Sequence, residues 1–273
     1  MDTSQDRYEL GSAPPELERL TRQGRVLEPA TRTLLRAAGV GAGMRVLDLG
    51  SGAGDVSFLA AELVGPTGEV IGLDQSPDAV ELATTRARHN RIDNVRFVVG
   101  DIHEPAPGGP FDAIIGRVVL LYSKDPAAVL RTQARQLRPG GVVAPIETDL
   151  TTAGARPATP LASRLVSWAG AGFAAANANP TLGRELWEVL REAGLRPLGM
   201  LGVQPHFGPG DPNGPALYAG MIRTMVPLLE RTGAATAQEI DPDTLEERLA
   251  QELIDADAAL AYAQLLCAWG TKD

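Results

Sequence analysis

The residues between Val46 and Asp55 carry the clearest chemical signal in the sequence. Gly50, Gly52 and Gly54 alternate with small residues directly after an apolar run, in the order VLDLGSGAGD. Glycines between a strand and a helix let a ligand approach the backbone closely, and the N–H groups at the helix N-terminus point at an anionic group. The spacing therefore predicts a loop that binds a nucleotide-like cofactor.

The residue at position 55 separates this loop from a dinucleotide-binding loop. A G-x-G-x-x-G pattern would place its third glycine there, but the chain has Asp55. Negative charge suits a pyrophosphate poorly, whereas the ammonium of a zwitterionic amino acid can be met by a carboxylate. Asp55 therefore disfavours a nicotinamide oxidoreductase.

Two further acidic residues follow apolar runs. Asp74 ends EVIGLD, where a carboxylate can accept both hydroxyls of a ribose. Asp101 ends NVRFVVGD, where a carboxylate can accept the exocyclic amine of an adenine, and Ile102 offers an apolar wall to the base. Acids at two successive strand ends favour adenosine and leave no evident place for a second nucleotide.

The elements that must position these residues alternate along the chain. Apolar runs predict strands at 44–50, 69–74, 94–101, 111–116 and 140–147, and helical patterns at 55–63, 76–90 and 125–137 separate them. Strands this apolar are typical of a parallel sheet buried on both faces. The sequence therefore predicts an α/β, doubly wound fold.

Taken together, the segments VLDLGSGAGD, EVIGLDQS, NVRFVVGDI, FDAIIGRVVLLY and LRPGGVVAPIE resemble a known family. They are similar to the class I S-adenosylmethionine-dependent methyltransferases, particularly the small-molecule branch of ubiquinone/menaquinone-type and natural-product enzymes. The resemblance covers about residues 8–150. It implies a mostly parallel seven-stranded sheet with an N-terminal helical lid, and S-adenosylmethionine as cofactor.

The resemblance also assigns cofactor contacts. The residues implied to hold or border the methionine portion are Asp48, Gly50, Ser51, Gly52, Gly54 and Arg117. The resemblance implies that Asp74 and Gln75 hold the ribose, and that Asp101 and Ile102 hold the adenine. Tyr8 and Gln23 lie in a segment similar to the family's lid, so we expect them to close over the cofactor.

The remainder of the chain is expected to complete the domain. We expect a helical lid at 1–40, a cofactor-binding core at 41–150, and a C-terminal part at 151–273 that completes the sheet. Helical insertions at 159–178 and 215–256 would cover an acceptor or form a homodimer interface. The run at 200–207 predicts a strand, and 259–271 suits a strand or a helix equally.

Three residues are candidates for chemistry on the acceptor. His206 follows the late strand beside a Gly/Pro-rich loop, where a neutral imidazole could remove a proton. Glu147 is a second candidate base, and Tyr122 could orient an acceptor hydroxyl. Packing, loop capping or a backbone hydrogen bond are the structural alternatives for each. Side chains expected to line the acceptor site are Tyr8, Tyr122, Trp168, Phe173, His206, Tyr218 and Met221, with helix packing as the alternative for those in the late helices.

The charge, the apolar runs and the cysteine count of the chain limit the classes of partner that we expect for it. A net charge of −9, from 25 Lys and Arg against 34 Asp and Glu, opposes binding to a phosphate backbone. No apolar run is long enough to span a membrane, and MDTSQDRYEL lacks the pattern of a signal peptide. The single Cys267 cannot form an internal disulfide, and the sequence gives no metal-ligand set. We therefore expect a cytoplasmic protein with a small-molecule acceptor, without nucleic acid, membrane span or metal.

The main functional hypothesis is methyl transfer to an oxygen, nitrogen or carbon of a small, largely apolar acceptor, which yields S-adenosylhomocysteine. The alternative is a cyclase or rearrangement enzyme of the same fold that binds the cofactor without consuming it. A non-catalytic scaffold is a further alternative, and it would show no affinity for the cofactor.

Overall fold

The computed structural model describes residues 14–272, with side chains from Gln23 onward. The described helices are α1 (Pro14–Ala37), α2 (Asp55–Val64), α3 (Pro77–His89), α4 (Pro126–Ala134), α5 (Pro160–Ala175), α6 (Leu186–Glu192), α7 (Asn213–Thr232), α8 (Ala237–Ile240) and α9 (Leu245–Asp255). The described strands are β1 (Arg45–Leu49), β2 (Glu69–Asp74), β3 (Val95–Val99), β4 (Phe111–Arg117), β5 (Leu137–Asp149), β6 (Gly154–Arg156), β7 (Arg196–Val203), β8 (His206–Phe207), β9 (Ala259–Ala261) and β10 (Gln264–Thr271). None of the described helices has the length and apolar character needed to cross a membrane.

The main sheet has seven strands in the order β3-β2-β1-β4-β5-β10-β7. The first five of these pair in parallel, and β10 runs antiparallel to both of its neighbours. Consecutive residues of β1, from Val46 to Leu49, are all buried, so both faces of the sheet are covered. The predicted α/β fold with a mostly parallel, seven-stranded sheet is confirmed.

The C-terminal segment shows what local sequence could not decide. Residues 259–271 form β9 and β10, and β10 fills the slot between β5 and β7. Alanine and leucine suit a helix as well as a strand, so the choice is made by the backbone groups that β5 and β7 offer on either side. A second sheet in the order β6-β9-β8 is not predicted by the sequence analysis.

The predicted strand at 200–207 is two strands in the structure. β7 begins earlier, at Arg196, and ends at Val203. Pro205 has no N–H to continue the ladder, and the Gln204 side chain instead donates to the carbonyl oxygens of Thr152 and Tyr262, both at 2.9 Å. His206 therefore belongs to β8 in the smaller sheet.

A buried carboxyl on β5 holds the segment that follows β4. The Oε1 atom of Glu147 accepts hydrogen bonds from the backbone N–H groups of Val119 (3.0 Å) and Leu120 (2.7 Å), where a 3₁₀ turn (Leu120–Tyr122) begins. Its Oε2 atom has no partner among the described residues. Burial raises the pKa of Glu147 to about 8, although the backbone N–H groups oppose the shift.

We predict that Glu147→Gln changes how stability depends on pH. The pKa in the fold lies above that of an unfolded chain, so the wild type loses stability as pH rises from about 5 to about 8, by roughly 1 kcal/mol per pH unit. Glutamine keeps the accepting C=O group and cannot ionise. Denaturant unfolding at several pH values should therefore show the variant gaining on the wild type across this range.

Glu62→Gln is the control for that measurement. A hydrogen bond from Arg32 lowers the pKa of Glu62, so the contribution of Glu62 to stability is constant above about pH 5. The free energy of unfolding of Glu62→Gln should therefore fall by an amount that does not change with pH across this range. If the free energies of unfolding of wild type and Glu147→Gln changed in parallel with pH, the raised pKa of Glu147 would be contradicted.

Candidate cofactor-binding site

The glycine loop lies between the end of β1 and the start of α2. Gly50, Gly52 and Gly54 have φ values of 63°, 51° and 91°, in the region that side chains rarely adopt. A Cβ atom on Gly50 would lie 2.4 Å from Cγ2 of Val119. The loop therefore requires glycine for its conformation and, at Gly50, for its contact with the segment after β4.

Asp74 connects this loop to the end of β2. Its Oδ2 atom accepts a hydrogen bond from the Gly52 N–H (2.8 Å), and its Oδ1 atom accepts one from the Ser76 N–H (2.9 Å). Burial raises the pKa of Asp74, and the backbone N–H groups partly offset that shift. Each carboxylate oxygen can accept more than one hydrogen bond, so Asp74 keeps capacity for ligand hydroxyls. Gln75 is exposed beside it.

Asp101 lies at the end of the neighbouring strand, β3. Its Oδ1 atom accepts from the His103 N–H (2.9 Å) and lies 2.7 Å from His103 Nδ1. Partial burial raises the pKa of Asp101, but the contacts with His103 outweigh it and the net shift is downward. Among the described residues no group bonds to Oδ2, so an ionised oxygen is available beside the half-buried Ile102.

A buried acid, Asp48, and a half-buried arginine, Arg117, carry further charge in this region. Asp48 accepts a hydrogen bond from the Ser57 hydroxyl (2.6 Å), and burial raises the pKa of Asp48 to about 7. Arg117 donates to Oγ1 of Thr31 (2.8 Å), which ties β4 to α1. Burial lowers the pKa of Arg117, while Asp55 and other nearby groups oppose the shift, and the guanidinium remains charged.

A cavity of about 760 Å³ opens between α1, α2 and the segment after α3. It reaches the loop region at Asp55 and Arg117. Asp55 is paired with Arg86 (2.8 Å), and a Cβ atom on Gly24 would lie 2.4 Å from its carboxyl carbon. The Asp55 carboxylate therefore already neutralises a protein cation, and it is not reserved for the ammonium of a ligand.

The residues present fit an adenosine that carries an amino-acid chain. The buried hydroxyl of Ser51 has no partner among the described residues. Asp101 offers an acceptor, and among the described residues only Thr31 accepts from the Arg117 guanidinium. An acceptor for an amine, an apolar wall and a half-buried cation match the chemistry of adenine and a carboxylate, and Asp74 matches that of a ribose.

The candidate catalytic residues have different environments. His206 is exposed on β8, and Tyr122 is half-buried at the end of the 3₁₀ turn. Glu147 is fully buried and its Oε1 atom accepts two backbone hydrogen bonds, so its carboxyl anchors the turn. Its role as a base stays a prediction. Tyr8 lies outside the described residues.

The late helices pack together in the core. The residues expected to line the acceptor site, Trp168, Phe173, Tyr218 and Met221, are at most 8% exposed and belong to the main hydrophobic cluster. The Tyr218 hydroxyl donates to the Ala261 carbonyl (2.9 Å), so it has no free donor for an acceptor molecule. Their burial supports packing as the role of all four side chains, and their contact with an acceptor stays a prediction.

Tyr262 is a residue that sequence analysis missed. It lies between β9 and β10 and is 6% exposed. Its hydroxyl accepts a hydrogen bond from Nε2 of Gln23 on α1 (3.0 Å), and it influences the nearby Arg117 electrostatically. No local signal could identify it, because its position depends on where β10 enters the sheet.

Known methyltransferases are similar to this chain in sequence. The chain is 38% identical over 111 residues to the demethylmenaquinone methyltransferase of Lactococcus lactis. This match covers 40% of this chain and 44% of that protein. It is 37% identical over 114 residues to the nocamycin O-methyltransferase of Saccharothrix syringae, which covers 41% of each. The chain thus spans less than half the length of these curated relatives.

A solved structure shows the same fold over a longer stretch. The S-adenosylmethionine-dependent methyltransferase of Aquifex aeolicus superposes with a TM-score of 0.54 at 22% identity, over 69% of this chain and 92% of the other. A family model described as a methyltransferase domain matches residues 41–179, just over half of the chain. The chain therefore belongs to the class I S-adenosylmethionine-dependent methyltransferases.

Proposed function

We propose that this protein transfers a methyl group from S-adenosylmethionine to an oxygen, nitrogen or carbon of a small, largely apolar acceptor. The observation that carries the proposal is the hydrogen bond from the Gly52 N–H of the glycine loop to the Asp74 carboxylate at the end of β2. The Asp101 carboxylate lies close by, just after the neighbouring strand β3. This arrangement supplies acceptors for the ribose and the adenine along one sheet edge.

In the proposed complex, different residues bind the ribose, the adenine and the methionine portion of the cofactor. Asp74 and Gln75 bind the ribose, while Asp101 and Ile102 hold the adenine. Asp48 and the glycine loop border the methionine portion. Arg117 provides the positive charge for its carboxylate, and Gln23 closes over it. When bound, the cofactor supplies a methyl group that is already activated on a sulfonium.

The remaining catalytic task of the chain is to position the acceptor and exclude water. We propose Tyr122 as the group that orients an acceptor hydroxyl, since it ends the turn anchored by Glu147. His206 is the proposed base where the acceptor must lose a proton, because it is exposed beside the loop at 208–214.

The acceptor class is supported by the relatives. One is named for demethylmenaquinone and another is an O-methyltransferase for nocamycin. We extend to this chain only the class of small, largely apolar molecules. A cytoplasmic location and a homodimer through the late helices belong to the proposal, and light scattering of the purified chain tests the dimer.

The direct experiment incubates the purified protein with S-adenosylmethionine and a panel of quinols, phenols and polyketide-type hydroxyl compounds. Methyl transfer gives a product heavier by one CH₂ group together with S-adenosylhomocysteine. A product of unchanged mass without S-adenosylhomocysteine would support the cyclase alternative instead.

We predict that Asp74→Ala weakens binding of S-adenosylhomocysteine about 10- to 100-fold. The change removes hydrogen bonds to a charged group, each of which contributes about 1.5–3 kcal/mol. Calorimetric titration measures the affinity, with NADH as a parallel ligand control. Asp78→Ala is the matched variant because Asp78 is exposed on the next helix. Equal affinities in wild type and Asp74→Ala would remove the ribose assignment.

Gly50→Ala should abolish binding of S-adenosylhomocysteine, since the added methyl group would meet Val119 at 2.4 Å. Gly65→Ala is the matched control: Gly65 has nearly the same φ (66° against 63°), but nothing lies within 4 Å of its added Cβ. Both variants bear the backbone strain of about 1–3 kcal/mol. Only Gly50→Ala should also lose affinity in the titration, and retained affinity would show that the loop does not contact the ligand.

His206→Ala should lower kcat about 100-fold or more, without changing the affinity for S-adenosylhomocysteine, if His206 removes a proton. The measurement uses an acceptor found in the mass screen. His89→Ala, an exposed histidine at the end of α3, is the control. An unchanged kcat would assign His206 to the structure of β8 alone.

A further inference from the structure

A glutamine within the core contacts the loop that follows Asp101. Gln133 lies on α4 and its side chain is fully buried. Its Nε2 atom donates to the carbonyl oxygens of Ile102 (2.6 Å) and Glu104 (2.7 Å). Its Oε1 atom accepts from the backbone N–H of Ala106 (3.2 Å). One side-chain amide thus holds every second residue of the segment 102–106.

These hydrogen bonds replace those that a sheet would provide. The segment 102–106 lies outside the strands, so its inward-facing backbone groups have no ladder partner. Both N–H bonds of the Gln133 amide and its carbonyl oxygen are used, so the buried amide is stable there. An apolar side chain at position 133 would leave two carbonyl groups and one N–H group of the loop without partners.

The outer side of the same loop is held more weakly. His103 bonds to Asp101, and its Nε2 atom lies 3.2 Å from the hydroxyl of Ser123. These groups are exposed, so water competes for each of them. The buried contact with Gln133 therefore determines where Ile102 and the following residues lie.

We propose that Gln133 is a positioning residue for adenine recognition, which fixes the segment 102–106 so that Ile102 packs on the base and the Asp101 carboxylate meets its exocyclic amine. Gln133 acts through the loop and touches no ligand itself. The proposal rests on the proposed function, because it takes the adenine of the cofactor as the group recognised.

The test compares S-adenosylhomocysteine with S-inosylhomocysteine, in which a carbonyl oxygen replaces the amine. Wild type should prefer the adenine compound about tenfold or more, because the amine donates to a carboxylate. In Gln133→Leu that preference should fall below about threefold. Gln133→Asn, whose amide is shorter by one methylene group and cannot reach both carbonyl groups, should reduce it as well.

Asn94→Leu is the matched control. The Asn94 side chain also donates to two backbone carbonyl oxygens, those of Ala61 and Gly65, both at 2.9 Å. It lies before β3, at the opposite end of the strand from Asp101. A loss of general stability would be common to both leucine variants, and thermal unfolding measures it. Only the Gln133 variants should lose the preference for adenine.

Hydrogen exchange in the ligand-free protein gives an independent readout. The amides of residues 102–104 and of Ala106 should exchange at least about tenfold faster in both Gln133 variants than in wild type or Asn94→Leu, since the loop opens locally. Unchanged exchange there, or an unchanged preference for adenine, would overturn the proposal. Failure of wild type to bind S-adenosylhomocysteine would instead contradict the proposed function, and the exchange rates would still decide whether Gln133 holds the loop.

Discussion

The hydrogen bond from the Gly52 N–H to the Asp74 carboxylate joins the two strand ends on which the site depends. A loop with three successive left-handed glycines has little conformational preference of its own, so its shape must be fixed by its contacts. Asp74 fixes it from β2. Val119 covers Gly50 from the segment after β4, and Glu147 in turn holds Val119 from β5. Four neighbouring strands thus cooperate to shape one loop.

This arrangement buries more charge than a core normally contains. Burial raises the pKa values of Asp48, Asp74 and Glu147, which means that the fold disfavours their ionised forms. The half-buried Arg117 offsets part of this effect at Asp48. Apolar residues at these positions would pack at lower cost. At Glu147 the buried carboxyl holds the turn after β4 through two backbone hydrogen bonds, and a cation bound near Asp48 would lower the pKa of Asp48 again.

The sequence was sufficient for the features that depend on local pattern and on topology. The apolar runs located β1 to β5, and parallel strands place their carboxyl ends together, so Asp74 and Asp101 could be assigned to one edge. The sequence was insufficient where the conformation or role of a residue depends on a partner far away along the chain. The Tyr218 hydroxyl bonds to a residue 43 positions further along the chain, and β10 is a strand because of the slot between β5 and β7. The burial of Gln133 could not be predicted either, because its hydrogen-bond partners lie in the segment 102–106, about 30 residues earlier in the chain.

The contact between Gln23 and Tyr262 joins residues 239 positions apart in the chain. It brings α1 and the entry to β10 together near Arg117, so these two segments form one wall of the region around that arginine. The family match at 41–179 contains neither residue. The glycine loop, Asp74 and Asp101 thus lie in the part of the chain that the family model matches, whereas the contact between α1 and the entry to β10 is made by segments outside it. Substitutions in these outer segments can therefore reshape this wall without disturbing the hydrogen bond that joins the glycine loop to Asp74.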